Sequence, residues 1–97
     1  MRYEIILAVD AAADLRKLAA SVRTAVRRAI ETHLRHEPEK LSRSRIKRLR
    51  GLQKPQYRLR IGEVRVFYDV SASRVEILAI VIKSEAESWL AEFGNPT

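Results

Sequence analysis

The sequence predicts an α+β fold in a single domain that spans residues 1–97. Near the N-terminus, two segments repeat apolar residues at helical spacing. From residue 56 to 82, apolar residues alternate or run continuously as they do in strands, with breaks only at turn residues. A last short segment returns to helical spacing. The predicted order is β-α-α-β-β-β-α, an antiparallel sheet packed against an N-terminal helical hairpin, with a short C-terminal helix.

Composition limits the class of protein. A hydrophobic content of 46% in 97 residues supports a folded core and excludes a disordered chain. Cysteine is absent, which excludes disulfides and thiolate metal sites and fits a reducing compartment. The longest apolar runs, 5–9 and 77–82, are too short to span a bilayer, and residues 1–9 lack the features of a signal peptide. We therefore expect a cytoplasmic protein without a membrane partner.

The N-terminal elements follow from periodicity and from capping residues. Arg2 to Val9 is predicted to be a strand, and Asp10 is expected to cap a helix that runs to about Ala20. Ser21 is expected to cap a second helix, which Pro38 ends. The two helices are predicted to form an antiparallel hairpin.

The C-terminal half is predicted to be a three-stranded meander followed by a helix. Its strands are 56–61, 64–70 and 74–82, and the last is so continuously apolar that it should lie inside the sheet. Ser84 and Glu87 have the spacing of a capping box at the start of the final helix. Gly94 is expected to end this helix just after Phe93.

The first two meander strands meet at Gly62-Glu63, and glycine at the first turn position suits a type II′ hairpin. This two-residue loop fixes the register and places six apolar or tyrosine side chains on a core face: Tyr57, Leu59, Ile61, Val64, Val66 and Tyr68. The other face carries Arg58, Arg60, Arg65 and Phe67. Arg60 should lie opposite Arg65, an arrangement that destabilises a sheet unless an anion such as a phosphate lies there.

Positive charge is concentrated in the middle of the chain. The protein has a net charge of +7, but residues 16–65 hold 16 basic and four acidic residues. This distribution favours nucleic acid or an acidic protein as partner. One segment within it contains six basic residues and no acid: Lys40, Arg43, Arg45, Lys47, Arg48 and Arg50. It is either a solvated loop or a patch that binds a nucleic-acid backbone.

Three motifs resemble those of a known family. The stretches 47–52, 57–60 and 64–68 are similar to the "K-L-x-G … Y-R-x-R … Y-R-V-x-Y" pattern of RelE/ParE toxins from bacterial type II toxin–antitoxin systems, and most of all to the RelE-like branch. RelE-type members cut mRNA in the ribosomal A site, whereas ParE-type members inhibit DNA gyrase. Each is neutralised by a small antitoxin, and the pair commonly represses its own operon.

The resemblance implies a growth-inhibiting toxin, an RNA-binding endoribonuclease (mRNA interferase) that needs neither metal nor cofactor. Its expected partners are an acidic, RelB-like antitoxin, mRNA in the ribosomal A site, and operator DNA only within the toxin–antitoxin complex. Two alternatives remain open, namely a ParE-like inhibitor of gyrase that is not an enzyme, and a degenerate module that binds RNA and antitoxin without cutting.

The catalytic residues that the resemblance implies are Arg58, Arg60 and Arg65, which would orient mRNA and stabilise the pentacovalent phosphorane. After the last strand, many RelE-type members carry a basic residue or histidine and then a tyrosine. This chain has serine at position 84 and no tyrosine near its end, so Lys83 is the candidate acid. Tyr57 and Tyr68 are predicted to face the core, and no general base stands out.

The remaining candidates are aromatic residues and histidines. Phe67 is a candidate platform for stacking a base beside the arginines. The apolar face of the last helix is expected to dock on the sheet or to lie where the antitoxin binds: Trp89, Leu90 and Phe93. His33 and His36 are interpreted as surface residues near a helix end, because no further metal ligand accompanies them.

Overall fold

The computed structural model describes all 97 residues and contains three helices and seven strands. Its helices are α1 (Val9–Lys17), α2 (Ala20–Leu34) and α3 (Lys83–Phe93). Its strands are β1 (Glu4–Leu7), β2 (Ile46–Arg48), β3 (Leu52–Lys54), β4 (Tyr57–Ile61), β5 (Val64–Ser71), β6 (Arg74–Ile82) and β7 (Asn95–Pro96). None of the helices combines the length and apolar content that crossing a membrane requires.

Five strands form one sheet in the order β1-β6-β5-β4-β2, and β3 pairs with β7 in a separate ribbon. The predicted meander of β4, β5 and β6 is confirmed. The sheet is mixed rather than antiparallel throughout, because β1 lies parallel to β6. The sequence did not predict β2, β3 or β7, since segments of two or three residues are too short to show alternation.

The main core lies between α1, α2 and one face of the sheet. The helices bury Ala11, Leu15, Val26, Ile30 and Leu34, and all six residues of the predicted sheet face are buried or packed against this core. The helix α3 lies on the other side of the sheet, over Phe67. The sheet therefore separates the main core from a smaller apolar contact beneath α3.

The β4–β5 hairpin has the predicted register. Tyr57 pairs with Tyr68 and Arg60 pairs with Arg65. Gly62 has a φ of +57°, a conformation that a residue with a side chain adopts only with strain. Glycine at this position thus determines which residues face the core and which face outward.

The predicted helix caps are wrong at all three helices. Asp10 and Ser21 lie within the first turns of α1 and α2, whose N-cap residues are Ala8 and Ala19. Ala8 still donates its backbone N–H to the carbonyl of Ile77, so α1 begins directly where sheet pairing stops. Sheet geometry therefore decides where this helix starts.

Pairing within the sheet also decides where α3 starts. Its N-cap residue is Ile82, the last residue of β6, and Ser84 is already inside the helix. The backbone N–H of Lys83 donates to the carbonyl of Glu63, which carries the pairing with β5 to the first residue of the helix. The predicted end of α3 is correct, because Gly94 is its C-cap residue.

A bulge in β6 changes which of its residues face the core. Phe67 pairs with Ala79 and Tyr68 pairs with Ile77, so Leu78 has no partner on β5. As a result Ile77 and Ile80 both belong to the main core, although an uninterrupted strand would place them on opposite faces. The continuous apolar run of this strand hid the bulge, because every position looked suitable for burial.

Candidate nucleic-acid interface

Three arginines converge on the sheet face that points away from the main core. Arg60 lies directly across from Arg65, and Arg58 lies two residues before Arg60 on the same strand. Burial lowers the pKa of Arg58, and the positive charges of Arg65 and Arg60 lower it further. We call Arg58, Arg60 and Arg65 the arginine face.

The three side chains have different environments. Arg65 is only 6% exposed, and its Nη1 donates to the carbonyls of Gly62 at 2.8 Å and Val64 at 3.1 Å. Arg58 is half-buried, and its Nε has no hydrogen-bond partner. Arg60 is exposed. No ion pair of the protein includes any of the three, so their charge is left for an external anion.

The structure adds Lys47 to this surface. The antiparallel pairing of β2 with β4 places Lys47 directly across from Arg58. Residues that pair directly across two strands share one face of the sheet. The sequence had assigned Lys47 to a separate basic segment, because a strand of three residues gave no sign that it would join the sheet.

Arg48 has a different position from its neighbour Lys47. It pairs with Tyr57, and its guanidinium lies 5.1 Å from the centre of the Tyr57 ring in a cation–π contact. Tyr57 belongs to the main core, so Arg48 covers the edge of that core rather than the arginine face.

The other members of the basic segment have different surroundings. Lys40 pairs with Glu37 at 3.7 Å. Arg45 lines a cavity beside the end of α2. Arg43 and Arg50 are exposed, and neither takes part in an ion pair.

Both candidate tyrosines are held within the protein. Their rings stack with centres 5.4 Å apart and planes 18° from parallel. The Tyr68 hydroxyl donates to the carbonyl of Pro38 at 2.6 Å, and the Tyr57 hydroxyl donates to the carboxylate of Glu39 at 3.2 Å. Burial raises the pKa of both tyrosines, most strongly that of Tyr68. Neither is therefore placed or tuned to transfer a proton on the arginine face.

Phe67 is not the open platform that the sequence suggested. It is 1% exposed, and the indole of Trp89 stacks on it with ring centres 5.1 Å apart and planes within 5° of parallel. The ring centre of Phe93 lies 5.5 Å from that of Trp89, with the two planes 37° apart, and Phe93 remains 54% exposed. Leu90 is half-buried. A nucleobase could stack on Phe67 only after Trp89 had moved.

Lys83 stands at the end of the sheet where Arg65 is anchored. Its backbone N–H donates to the carbonyl of Glu63 at 2.6 Å, and the adjacent carbonyl of Gly62 accepts from Arg65. The hairpin turn therefore links the backbone of Lys83 to the arginine face. No group of three histidine, cysteine, aspartate or glutamate side chains is arranged to hold a metal ion.

Comparison with known proteins assigns the family. The sequence profile of one family, described as the ParE toxin of the type II toxin–antitoxin system parDE, matches residues 5–87. The chain belongs to this toxin family. It is thus a type II toxin of the RelE/ParE superfamily, as the motifs predicted. No curated protein sequence matches the toxin.

Solved structures agree with this assignment. A chain of the RelBE2 toxin–antitoxin complex from Mycobacterium tuberculosis is similar at a TM-score of 0.70 and 25% identity, over 84% of this toxin and 92% of that chain. A chain of the RelE–RelB complex from Pyrococcus horikoshii OT3 is similar at a TM-score of 0.70 and 22% identity, over 86% of this toxin and 97% of that chain. A chain of the RelB–RelE complex from Methanococcus jannaschii is similar at a TM-score of 0.65 and 17% identity, over 87% of this toxin and 96% of that chain. The last two show the shared fold.

The candidate residues of the toxin thus fall into three groups. The arginine face comes together as the sequence predicted, and Lys83 lies near it. The sequence grouped Lys47 with the basic segment, and its place beside Arg58 would have been found only by recognising β2. Trp89 docks on the sheet, as expected for the apolar face of α3, but its stacking partner Phe67 was not predicted.

Proposed function

We propose that this toxin is a ribosome-dependent mRNA interferase, an endoribonuclease that binds A-site mRNA at the arginine face. One observation carries the proposal, namely that Arg58, Arg60 and Arg65 converge without a compensating carboxylate. A sheet holds like charges in this way at a cost in stability. A phosphodiester that gains charge in the transition state offsets this cost and binds more tightly as the reaction proceeds.

The reaction would begin when the 2′-oxygen of the nucleotide attacks its neighbouring phosphorus. A pentacovalent phosphorane forms, and loss of the 5′-oxygen leaves a 2′,3′-cyclic phosphate and a 5′-hydroxyl. Arginine stays protonated at working pH, so the arginine face stabilises the phosphorane and does not accept a proton. Arg65 is fixed by two carbonyls, which limits the reorganisation needed when charge develops.

Proton transfer is assigned to other groups. Lys83 is the proposed acid for the departing 5′-oxygen, because its backbone is joined to the turn that anchors Arg65. Tyr57 and Tyr68 are excluded by their internal hydrogen bonds and by their raised pKa values. The arginine face contributes charge and position, and the proton of the attacking 2′-hydroxyl passes to solvent water.

The proposed partner is an acidic, RelB-like antitoxin in the cytoplasm. The similar structures are toxin–antitoxin complexes, which supports such a partner. Trp89, Leu90 and Phe93 are its proposed contacts, because α3 has an aromatic side and buries no residue completely. Operator DNA would be bound only by the complex of the two proteins.

Cleavage of mRNA on purified ribosomes tests the proposal. Toxin made by cell-free synthesis would be added to ribosomes programmed with a defined mRNA, and primer extension would locate any cuts. We expect cleavage in the A-site codon, and a loss of about tenfold or more for Arg60→Ala because one phosphorane contact disappears. Arg60 is exposed and bonds to no protein group through its side chain, so its removal should leave the fold intact.

Arg43→Ala is the matched control and should lose less cleavage than Arg60→Ala, since Arg43 is also exposed but lies in the loop before β2. Equal cleavage by the two variants would contradict the site.

The basic segment is proposed to add affinity for RNA through Lys40, Arg43, Arg45, Lys47, Arg48 and Arg50. Among these, Lys47→Ala should weaken cleavage most, because Lys47 alone is paired with Arg58.

A second candidate function is inhibition of DNA gyrase without catalysis. The matching family profile is that of ParE, and Trp89 covers the ring on which a base would stack. Supercoiling by purified gyrase should then fall while ribosomal mRNA remains intact. If neither target responds while an antitoxin still binds, the chain is a binding module that has lost toxin activity.

A further inference from the structure

A second cationic site lies at the C-terminal end of α2, apart from the arginine face. A cavity of about 170 Å³ opens between the last turn of α2 and the chain that leads into β2. Only one of its lining residues, Ile46, is hydrophobic. The polar groups that matter for binding come from Thr32 and His33 on the helix and from Lys40, Ser42 and Arg45 on the loop.

These groups offer many hydrogen-bond donors and few acceptors. The side chains of Thr32, His33 and Arg45 make no hydrogen bond to another protein group. The guanidinium of Arg45 by itself carries five N–H donors, and all of them remain available to a ligand. The Ser42 hydroxyl accepts the backbone N–H groups of Arg45 and Ile46, each at 3.0 Å. Both lone pairs are then in use, so the hydroxyl proton is free to be donated into the cavity.

The acceptors of the protein itself do not use these hydrogen-bond donors. The last carbonyls of a helix attract cations, but neither Lys40 nor Arg45 uses its side chain to bond one of them. The only carboxylate in the lining is that of Glu37, which is exposed and pairs with Lys40 at 3.7 Å. Arg45 and His33 are therefore left facing the cavity without a counter-charge.

We propose that this cavity binds a phosphate group, held by Arg45, His33 and Lys40 and by the hydroxyls of Thr32 and Ser42. A phosphate has several acceptor oxygens and negative charge, which match a site of cations and hydroxyls. The site is separate from the arginine face and does not depend on the proposed ribonuclease activity. Its ligand is either a free phosphate monoester or a phosphodiester of bound RNA.

A backbone hydrogen bond places the cavity close enough to the arginine face for both to contact one strand of RNA. The carbonyl of Arg45 accepts the backbone N–H of Arg60 at 2.9 Å, so the cavity and the arginine face adjoin the same edge of the sheet. A strand of RNA that crosses this edge could place one phosphate on the arginine face and another in the cavity. The second phosphate would set the direction of the RNA without reading its bases.

His33 provides a local reporter for binding. Burial lowers the pKa of His33, and the nearby charge of Arg45 lowers it further. A phosphate in contact with the ring would reverse the second effect by stabilising the imidazolium. His36 is the internal control, because it lies only three residues away but contacts the carbonyl of Met1 at 3.2 Å instead of lining the cavity.

The test is a titration of the full-length toxin with inorganic phosphate, followed by NMR of the two histidine rings at constant ionic strength. We expect the pKa of His33 to rise at saturation, whereas phosphate should not shift the ring resonances of His36. Equal shifts of the two rings, or no shift of His33, would overturn the proposal. Because the readout is independent of ribosomes, it can fail while mRNA cleavage succeeds, and the converse is also possible.

Two variants and a second probe complete the test. Arg45→Gln should weaken phosphate binding about tenfold, whereas Arg28→Gln, which removes the same charge from an exposed position on α2 outside the cavity, should not. The same loss in both would show a diffuse charge effect and overturn the site. A short single-stranded oligoribonucleotide that shifts His33 at lower concentration than inorganic phosphate identifies RNA as the ligand, and the reverse order identifies a free phosphate.

Discussion

At the scale of single residues, identical side chains on one surface have different physical roles. Arg65 is almost fully buried and bonds to the turn, so it contributes to the fold as well as to the charge of the surface. Arg58 is half-buried with an unpartnered Nε, and Arg60 is exposed. Removing Arg60 therefore separates function from stability, whereas a substitution at Arg65 would change both.

Asp14 provides a residue-scale prediction about stability. Beyond the end of β1, its Oδ2 accepts the backbone N–H of Ile80 at 3.0 Å and so satisfies the edge of β6. Asp14→Ala should lower the free energy of unfolding by about 1–2 kcal/mol, because this N–H loses its acceptor. Asp14→Asn keeps an oxygen at the same place and should lose less. Urea denaturation checks both, and equal losses would show that the carboxylate acts through charge instead.

At the scale of elements, α3 is the least buried of the three helices. The other two helices bury Ala11, Leu15, Val26, Ile30 and Leu34, whereas α3 buries no residue. Its attachments are the Trp89 stack on Phe67 and the pairing of β7 with β3. An element with few buried apolar contacts opens at lower free energy than the core. The antitoxin contact proposed for α3 is thus on the segment that can most easily change position.

Trp89 makes this difference measurable, because it is the only tryptophan of the protein. The urea transition followed by Trp89 fluorescence should have a lower midpoint than the transition followed by far-ultraviolet circular dichroism. The physical reason is that α3 detaches, and exposes the indole, before the core unfolds. Phe67→Ala should move the fluorescence transition to still lower urea concentration by removing the stacked partner. Phe93→Ala is the control, because Phe93 is 54% exposed and should change it less. Coincident transitions in the unmodified protein would contradict independent opening.

At the scale of the whole molecule, the sheet places two kinds of surface on opposite sides. The side covered by α1 and α2 contains the main core, and the outer side carries the arginine face and α3. The net charge of +7 attracts polyanions over the whole surface. The close approach of the three arginines then decides where a phosphate is held, because salt screens direct contacts less than it screens distant charges.

The salt dependence of RNA binding separates local contacts from the general attraction. The slope of log affinity against log salt for a single strand is about −0.7 for each phosphate neutralised. Arg60→Gln should make the slope less steep by about 0.7, because one phosphate contact is lost. Arg28→Gln removes the same charge from an exposed position on α2 and should leave the slope unchanged. Equal changes in both variants would indicate non-specific attraction without a defined interface.

The sequence by itself determined the order of the main elements, the hairpin register and the arginine face. Each depends on local rules, since alternation assigns strand faces and a two-residue turn fixes pairing. The same rules failed at the helix caps, where pairing within the sheet placed the starts of α1 and α3. Local patterns were strong enough to establish the toxin family but not the position of every functional side chain.

Only the tertiary structure decided which distant segments meet. It paired Lys47 with Arg58, placed Trp89 over Phe67, and brought Arg45 and His33 to one cavity. These pairs are separated by 11 to 22 residues in the sequence, and no periodic pattern encodes their contact. The physical reason is that periodicity specifies the direction of a side chain relative to its own element, whereas packing between elements specifies what that side chain meets.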